Sequence, residues 1–334
     1  MTSYIIRRLL LIIPTVFVAL SLLFFIFFLL PGDPARLIAG GADRTIDPGV
    51  IARAKARYGL DQSLFQQFVD YWSRILHWDL GESFRNRRSV NDIFGERAVN
   101  SIRLGIWAMI IEVIVGVGVG LVSAIRRYSL SDKITTIVTA AASAIPVFVL
   151  GFVFQYLFAV QPNKWGWPEW AQLKTSTMGP DSWTLFFIPT GDQWRYLILP
   201  AVALASVGTA LIARMMRGSM LEVLRADYMR TARAKGLSEG GVIVKHGLRN
   251  AMLPVVTLLG IDFGTVIGVA VLTEFTFSWP GLGSTIVAAV DQRDLPVLMG
   301  LTLVVVLVYA FINLIVDVSY AWFDPRIRLG KEGS

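Results

Sequence analysis

Long apolar runs separated by short charged segments dominate the hydrophobic pattern of this chain. The first run extends from Leu9 to Leu30 and follows Arg7 and Arg8. At 1.5 Å per residue, its 22 residues would form a helix of roughly 33 Å, close to the hydrocarbon thickness of a bilayer. The apolar region of a cleaved signal peptide is shorter, so we interpret residues 1–30 as a retained N-terminal span that ends at Pro31-Gly32-Asp33-Pro34.

Five further apolar runs are each long enough to cross a membrane as a helix. None alternates between apolar and polar residues as a membrane β-strand does. Because lipid offers the backbone no hydrogen-bond partners, the sequence predicts an all-α integral membrane protein with about six transmembrane helices. The five runs are Ile102 to Ile125, Ile134 to Val160, Tyr196 to Met215, Met252 to Thr273 and Pro296 to Trp322.

The segments between the runs define three regions. An extracytoplasmic loop over residues 31–101 follows the N-terminal span. Apolar residues at helical spacing between Leu64 and Leu76 predict a short amphipathic helix in that loop, which we expect to pack against the outer ends of the spans. Residues 102–330 form a five-span core with an outer loop at 161–195, whose tryptophans are typical of the membrane interface, and a long basic segment at 216–251.

Composition and charge support a membrane protein with a defined orientation. The chain is 54% hydrophobic and only 16% charged. Its net charge is +7, and the charged residues fall mainly between the apolar runs. This placement does not favour a nucleic-acid partner. Lys and Arg concentrate in alternate short loops, which predicts cytoplasmic termini; the arginine-rich loop 31–101 is long enough to translocate regardless of charge. The predicted inner side carries Arg7, Arg8, Arg126, Arg127, Lys133, Arg214, Arg217, Arg225, Arg230, Arg233, Lys235, Lys245, Arg249, Arg326, Arg328 and Lys331, and the outer short loops carry Lys164, Lys174, Arg195 and Arg293.

Motifs for catalysis are missing from the sequence. There is no Gly-x-x-x-x-Gly-Lys-Ser/Thr loop to cradle a nucleotide, no nucleophile elbow and no cysteine. The two histidines, His77 and His246, fall on opposite sides of the predicted membrane and cannot form a metal pair. An embedded enzyme is therefore disfavoured, and ATP-driven transport would require a separate ATPase chain.

Three carboxylic acids lie within apolar runs. An aspartate near the centre of a membrane helix costs roughly 2.5–3.5 kcal/mol on insertion scales, so each acid should face protein or water. Glu112 is in line with Gly116, Gly120 and Ala124 at four-residue spacing, which predicts a close-packed stripe with Glu112 as an interhelical hydrogen-bonding group. Asp317 has the same predicted role.

Asp262 is the third of these acids and differs from the other two. Gly260, Gly264 and Gly268 predict the close-packed side of the fifth span, and Asp262 would then point away from it. The solute path and the surface against a partner subunit remain open as alternatives, and Asp262 is the candidate residue of the solute path.

The basic segment 216–251 has the pattern of two short helices. The first should end at Gly236, in a left-handed conformation, and the second should be capped by Ser238. Two basic helices beneath a membrane could form a docking surface for another protein, or they could only set the orientation of the spans.

This segment resembles the cytoplasmic coupling loop of binding-protein-dependent ABC importer permeases, in the form found in the dipeptide/oligopeptide subfamily. Where the general permease pattern has Glu-Ala-Ala, this chain has Arg230-Thr231-Ala232, a departure that the subfamily shares. Further similar motifs are Arg7-Arg8-Leu9, Pro31-Gly32-Asp33-Pro34, Asp79-Leu80-Gly81-Glu82-Ser83, Ser278-Trp279-Pro280-Gly281-Leu282-Gly283 and Asp324-Pro325-Arg326-Ile327-Arg328. By this resemblance the residues that seat in the ATPase are Arg230, Ala232, Arg233, Ala234, Lys235, Gly236, His246, Arg249, Asn250 and Pro254.

The resemblance implies a type I ABC importer transmembrane domain in a bacterial plasma (inner) membrane. Its partners would be a homologous second permease subunit, two cytoplasmic ATPase domains that bind ATP and Mg²⁺, an extracytoplasmic peptide-binding protein and membrane lipid. This chain would itself hold no cofactor and no catalytic residue. The implied solute is a dipeptide or oligopeptide, with glutathione, a nickel chelate or haem as alternatives. A transporter or channel that works alone, or a scaffold, is the alternative function.

Overall fold

The structure is a computed structural model that describes the backbone of residues 2–29, 35–36, 47–169, 172–175, 179 and 183–323. Side chains are described for the same residues except 2–9, 27–29, 267 and 315–323. The motifs Pro31-Gly32-Asp33-Pro34 and Asp324-Pro325-Arg326-Ile327-Arg328, and the side chains of Arg7, Arg8 and Asp317, therefore lie outside the described residues.

Long helices confirm the helical membrane fold. Among the described residues, four helices are long and apolar enough to cross a membrane, or five if a bent pair is one span. The N-terminal helix adds 28 residues, of which Leu10–Ile26 form its described apolar part. The helices are α1 (Thr2–Leu29), α2 (Pro48–Tyr58), α3 (Leu64–Leu76), α4 (Val90–Ile125), α5 (Leu130–Ala144), α6 (Val147–Lys164), α7 (Gln193–Val223), α8 (Asp227–Ala234), α9 (Glu239–Gly241), α10 (Arg249–Thr276), α11 (Leu282–Asp291) and α12 (Leu295–Phe323).

The predicted third span, Ile134 to Val160, is not one straight helix. It divides into α5 and α6, which are bent by 112° at a short break. Ile145 there has φ −93° and ψ 130°, the extended backbone that a residue before proline favours. Pro146 also lacks the N–H that a continuous helix would need, so the break follows from this one residue.

A two-stranded hairpin forms part of the 161–195 loop, whose structure the residue pattern does not predict. Strands β1 (Trp183–Thr184) and β2 (Ile188–Pro189) pair antiparallel, and Leu185 and Phe186 between them have positive φ. Side chains of α4 hold this turn, because Arg103 Nε donates to the Phe186 carbonyl at 2.7 Å and Trp107 Nε1 donates to the Phe187 carbonyl at 2.8 Å.

The chain divides into two compact units, and residues 1–99 and 281–314 form the first. The predicted amphipathic helix is α3, and its aromatic face packs on α1 as expected. The Tyr71 ring lies 5.8 Å from the Phe24 ring, and the Trp72 ring lies 5.0 Å from the Phe17 ring. Leu20 and Phe24 are buried in the core of this unit.

A buried aspartate fixes the Asp79-Leu80-Gly81-Glu82-Ser83 motif within the first unit. Asp294 is 3% exposed and accepts hydrogen bonds from Ser83 Oγ at 2.5 Å and from the Phe84 N–H at 3.0 Å. Gly81 has φ 87°, a conformation that favours glycine, and Leu80 enters the core. The motif is therefore an ordered turn that is held by packing and by one buried carboxylate.

The second unit, residues 100–280 and 315–334, is built around α7. In the most apolar stretch of α7 61% of the residues are buried, against 33%, 22% and 39% in the other three candidate spans. Helices α4, α5, α6 and α10 all pack against it. Because every other described span of this unit contacts α7, its surface determines how closely they can approach.

The close-packed stripe predicted for the second span is confirmed, and it faces α7. A Cβ on Gly116 would lie 2.8 Å from Ile212 Cγ2, and one on Gly120 would lie 2.5 Å from the Ala213 carbonyl oxygen. Ala124 is 2% exposed in the same cluster. Glycine is thus required here by the approach of two helix backbones rather than by backbone conformation.

The close-packed stripe predicted for the fifth span is wrong. Gly264 is buried, but Gly268 is exposed, with no atom within 4 Å of an added Cβ. The buried positions of α10 instead include Val255, Val266 and Ala270. Asp262 lies one turn before Val266 and therefore belongs to the packed side of the helix, not to the side that faces away from it.

We predict that Gly120→Ala destabilises the protein and that Gly118→Ala does not. An added methyl at residue 120 meets the α7 backbone, which cannot move aside as a side-chain tip can, and overpacking of this kind costs about 1–3 kcal/mol. No atom lies within 4 Å of a Cβ at residue 118. Thermal unfolding of the two variants in detergent would measure the difference, and equal unfolding temperatures would contradict the stripe.

Candidate functional site

The first part of the 216–251 segment is α8, a helix of two turns. It begins at Asp227 and its last helical residue is Ala234; Gly236, just after the Lys235 cap, has φ 79°. No atom lies within 4 Å of a Cβ added to Gly236, so the left-handed backbone alone favours glycine there. This confirms the predicted helix end.

A small apolar core holds α8 against the helix that follows it. Met229 is fully buried, Ala232 is 6% exposed, and both pack with the buried Val242. Gly247 permits this approach, because a Cβ on it would lie 2.6 Å from Met220 Cε and 3.3 Å from Met229 Cε. The segment is therefore a folded element and not a loose charged loop.

The second helix of the segment is longer than predicted. Ser238 caps it, with its Oγ accepting from the Gly241 N–H at 3.4 Å. The helix then continues through α9 and a π-helical stretch, Val242–Leu248, into α10. No glycine in a left-handed conformation interrupts this stretch, and Pro254 is accommodated inside α10, so the predicted short second helix is the start of the fifth span.

The predicted coupling residues divide into exposed and buried ones. Ala232 is buried in the core beneath α8 and His246 is half-buried. Arg233 forms a two-point ion pair with Glu239, with nitrogen–oxygen distances of 3.0 and 2.8 Å, which raises the pKa of the Arg233 guanidinium. Like Arg233, the other seven predicted coupling residues are exposed: Arg230, Ala234, Lys235, Gly236, Arg249, Asn250 and Pro254. Asp262, the candidate residue of the solute path, lies farther along α10 and is half-buried.

Arg217 has a structural role that its charge alone did not reveal. Its guanidinium donates to both carboxylate oxygens of Asp132, at 2.7 and 2.9 Å. Asp132 also accepts from Ser123 Oγ at 2.5 Å and from the Tyr128 N–H at 2.9 Å. This cluster joins α4, α5 and α7, and it places the α4–α5 turn at the same end of the second unit as the 216–251 segment.

Glu112 and Asp262 come together at Gly208 of α7, although the sequence had placed them on unrelated helix faces. A carboxyl oxygen of each lies less than 3.0 Å from the point that a Cβ on residue 208 would occupy, closer than real Cβ contacts come. Because both oxygens lie so close to the same point, the two carboxyl groups are direct neighbours. Near 4 Å, two ionised carboxylates repel by about 4 kcal/mol at an effective dielectric constant of about 20, so this pair requires a compensating positive charge.

Within the described part of the chain, no group of three or more His, Asp or Glu side chains could hold a metal ion. The folded basic segment and the carboxyl pair are the candidate functional features of the second unit. Sequence reasoning missed the pair because it arises from the contact of three helices that are far apart in the chain.

Comparison with known proteins covers nearly the whole chain. Residues 116–329 match the family model of the binding-protein-dependent transport system inner membrane component, and residues 1–105 match the model of the N-terminal part of such membrane components. The glutathione transport system permease protein GsiC of Escherichia coli strain K12 is 40% identical over 328 residues, covering 98% of this chain and 99% of that protein. The same figures hold for GsiC of Salmonella choleraesuis strain SC-B67.

A solved crystal structure of an amino acid ABC transporter with histidines is also similar. It is 14% identical, covers 71% of this chain and 94% of that one, and has a TM-score of 0.46. A likeness at this score is too weak to support a conclusion about this chain.

We predict that Arg217→Met destabilises the protein by about 1–3 kcal/mol, because it leaves the buried Asp132 carboxylate without its cation. Arg225→Met, which removes an exposed arginine from the same segment, is the matched control and should change stability little. Thermal unfolding in detergent measures both. Equal stability of the two variants would show that the ion pair does not hold the helix ends together.

Proposed function

This chain belongs to the family of binding-protein-dependent transport system inner membrane components, and from that premise we propose that it is one of two pore-forming permease subunits of an ATP-driven importer of short peptides. As a permease subunit of an ABC importer it is a transport component. Separate ATPase subunits would hydrolyse ATP, and an extracytoplasmic binding protein would deliver the solute to the permease.

The folded basic segment carries this proposal. Arg230, Lys235 and Arg249 are exposed, while the Met229–Ala232–Val242 core fixes the backbone beneath them. A rigid surface of this kind can transmit a displacement that a bound ATPase imposes on it. The continuous helix from Ser238 into α10 would carry this displacement towards the middle of the fifth span. An ATPase that binds this surface differently in its two nucleotide states would shift the bundle between two conformations.

Short peptides are the solute class that the relatives favour. GsiC is named as a glutathione transport permease, and glutathione is itself a tripeptide. The match covers 98% of this chain, so the spans, the basic segment and the outer loops all lie within it. We therefore take glutathione and alanyl-alanine as the first solutes to test.

The proposed orientation places both termini and the 216–251 segment in the cytoplasm. The Asp132–Arg217 ion pair supports it, because it keeps two Lys- and Arg-rich segments at one end of the second unit. The hairpin β1–β2 contacts Arg103 and Trp107 of α4, far along that helix from Ser123 in the ion-pair cluster. This arrangement agrees with the excess of Lys and Arg in short cytoplasmic loops.

Single cysteines test the orientation, since the chain has no native cysteine. Gly240→Cys should be protected from a membrane-impermeant thiol reagent in intact cells and react after permeabilisation. Gln292→Cys, in the exposed turn after α11, should react in intact cells. The reverse labelling pattern would contradict the proposed orientation.

Gly236→Val tests the docking surface. A β-branched residue in a left-handed conformation is strained by about 1–2 kcal/mol, so the end of α8 should be displaced. We expect normal membrane insertion, weaker association with the ATPase subunits and reduced uptake. Gly240→Val is the matched control, because residue 240 has open space and no positive φ. Wild-type association of the Gly236 variant would remove the support for a coupling turn.

Reconstituted uptake tests the function itself. The chain would be co-expressed with a partner permease, ATPase subunits and a binding protein of the same importer, and the complex placed in proteoliposomes. We expect accumulation of labelled glutathione or alanyl-alanine that requires ATP hydrolysis and the binding protein. Uptake by this chain without an ATPase would support a transporter that works alone, and no peptide uptake by the active assembly would contradict the proposed solute.

A further inference from the structure

The Glu112–Asp262 pair lies near the middle of the membrane-spanning helices. Gly208 is the central residue of the 31-residue α7, and Asp262 is next to the midpoint of the 28-residue α10. Glu112 opens a π-helical turn, Glu112–Gly116, inside α4. Such turns occur often at functional sites in helices.

The pair has unused hydrogen-bonding capacity. Glu112 is 1% exposed, and its Oε2 has no hydrogen-bond partner; the Oδ2 atom of Asp262 also has none. Asp262 Oδ1 accepts from the Thr265 hydroxyl at 2.8 Å, and the hydroxyl of Thr209, next to Gly208, is buried without a partner. Buried carboxyl oxygens are almost always bonded, so these atoms point to a missing donor.

The neighbouring helices do not supply that donor. Among the described residues, no Lys, Arg or His side chain pairs with Glu112 or Asp262. The nearest arginines along α7, Arg214 and Arg217, bond to Ser143 and Asp132. A proton can compensate one negative charge of the pair, and a cation with several N–H groups can compensate the charge and fill the unused acceptors as well.

Access to the pair is possible from the side of Asp262. Glu112 is enclosed, but Asp262 is only half-buried and its hydrogen-bond partner Thr265 is exposed. An ammonium group has three N–H donors and no acceptor, which matches two carboxyl oxygens and a hydroxyl. A short peptide carries one such group at its amino terminus.

We propose that Glu112 and Asp262 form a subsite of the solute path that binds the amino-terminal ammonium group of a peptide, and that the two carboxyls share one proton when the subsite is empty. The inference rests on the proposed function. On binding, the shared proton passes to water in the path and the ammonium takes its place between the carboxyls. Asp262 thus lies at the accessible side of the subsite and Glu112 at its buried end.

Chemical labelling tests the subsite without relying on uptake. A hydrophobic carbodiimide, which reacts with protonated carboxyl groups, would be applied to the assembled transporter without its binding protein, and the modified residues identified by mass spectrometry. We expect labelling of Glu112 or Asp262 that excess glutathione suppresses and N-acetylated glutathione does not. Failure to label either residue, or equal protection by both peptides, would overturn the proposal.

Uptake by variants gives a second test. Wild-type complex should prefer glutathione over its N-acetylated form, and the ratio of the two uptake rates should fall by roughly tenfold, the effect of one charge-assisted hydrogen bond, in Glu112→Gln and Asp262→Asn. Asp61→Asn, at an exposed acid outside the described spans, should leave the ratio unchanged. An unchanged ratio in an assembled Glu112 or Asp262 variant would overturn the subsite.

The two tests separate this inference from the proposed function. If wild-type complex imports neither peptide with ATP, the proposed function fails. If it imports glutathione while the variants keep the wild-type ratio, only the subsite fails. Should one variant not assemble, the other variant and the labelling of wild-type complex still decide.

Discussion

The meeting of α4 and α10 at Gly208 of α7 is the constraint on which the second unit depends. In lipid, helices gain little from apolar burial against each other, so they associate where small residues allow close approach. Gly116 and Gly120 bring α4 onto α7 in this way, and the same approach carries Glu112 to Gly208. The packing that stabilises the bundle therefore also forces two acids together, and the charge of that pair must be balanced by a proton or by a bound cation.

The basic segment and the carboxyl pair are joined by one helix. From Ser238 the chain runs through α9 and the Val242–Leu248 stretch into α10, where Asp262 lies. At one end, the Met229–Ala232–Val242 core fixes the helix to α8; at its middle, Asp262 contacts Gly208 and Glu112. A displacement of α8 would thus reach the carboxyl pair through a rigid element, which gives the proposed ATPase partner a physical route to the proposed solute path. The Asp132–Arg217 ion pair would keep the adjoining ends of α4, α5 and α7 together during this motion.

Local signals in the sequence predicted local structure well. Lengths of apolar runs indicated the spans, and the glycine at 236 and the serine at 238 marked the end of one helix and the start of the next. Contacts between distant segments were not predictable, because Asp132 and Arg217 are 85 residues apart and nothing local marks them as partners. The side of α10 on which Asp262 lies is not predictable for a related reason. Glycines at four-residue spacing and the buried Val255, Val266 and Ala270 are alternative stripes of one helix, and only packing against α7 selects between them. The length of the apolar run predicts one third span, whereas Pro146 within that run divides it into α5 and α6.

Infrared difference spectroscopy of the purified complex in lipid tests most directly whether the Glu112 and Asp262 carboxyls share a proton. A carboxylic acid that is protonated and shielded from water has a carbonyl stretching band separate from that of ionised carboxylates. We predict this band at neutral pH in the solute-free wild-type complex. In Glu112→Gln and in Asp262→Asn the band should be lost, because the remaining carboxylate no longer has a like charge beside it, and the double variant should also lack it. Absence of the band from wild-type complex, or a band unchanged in all three variants, would contradict the shared proton.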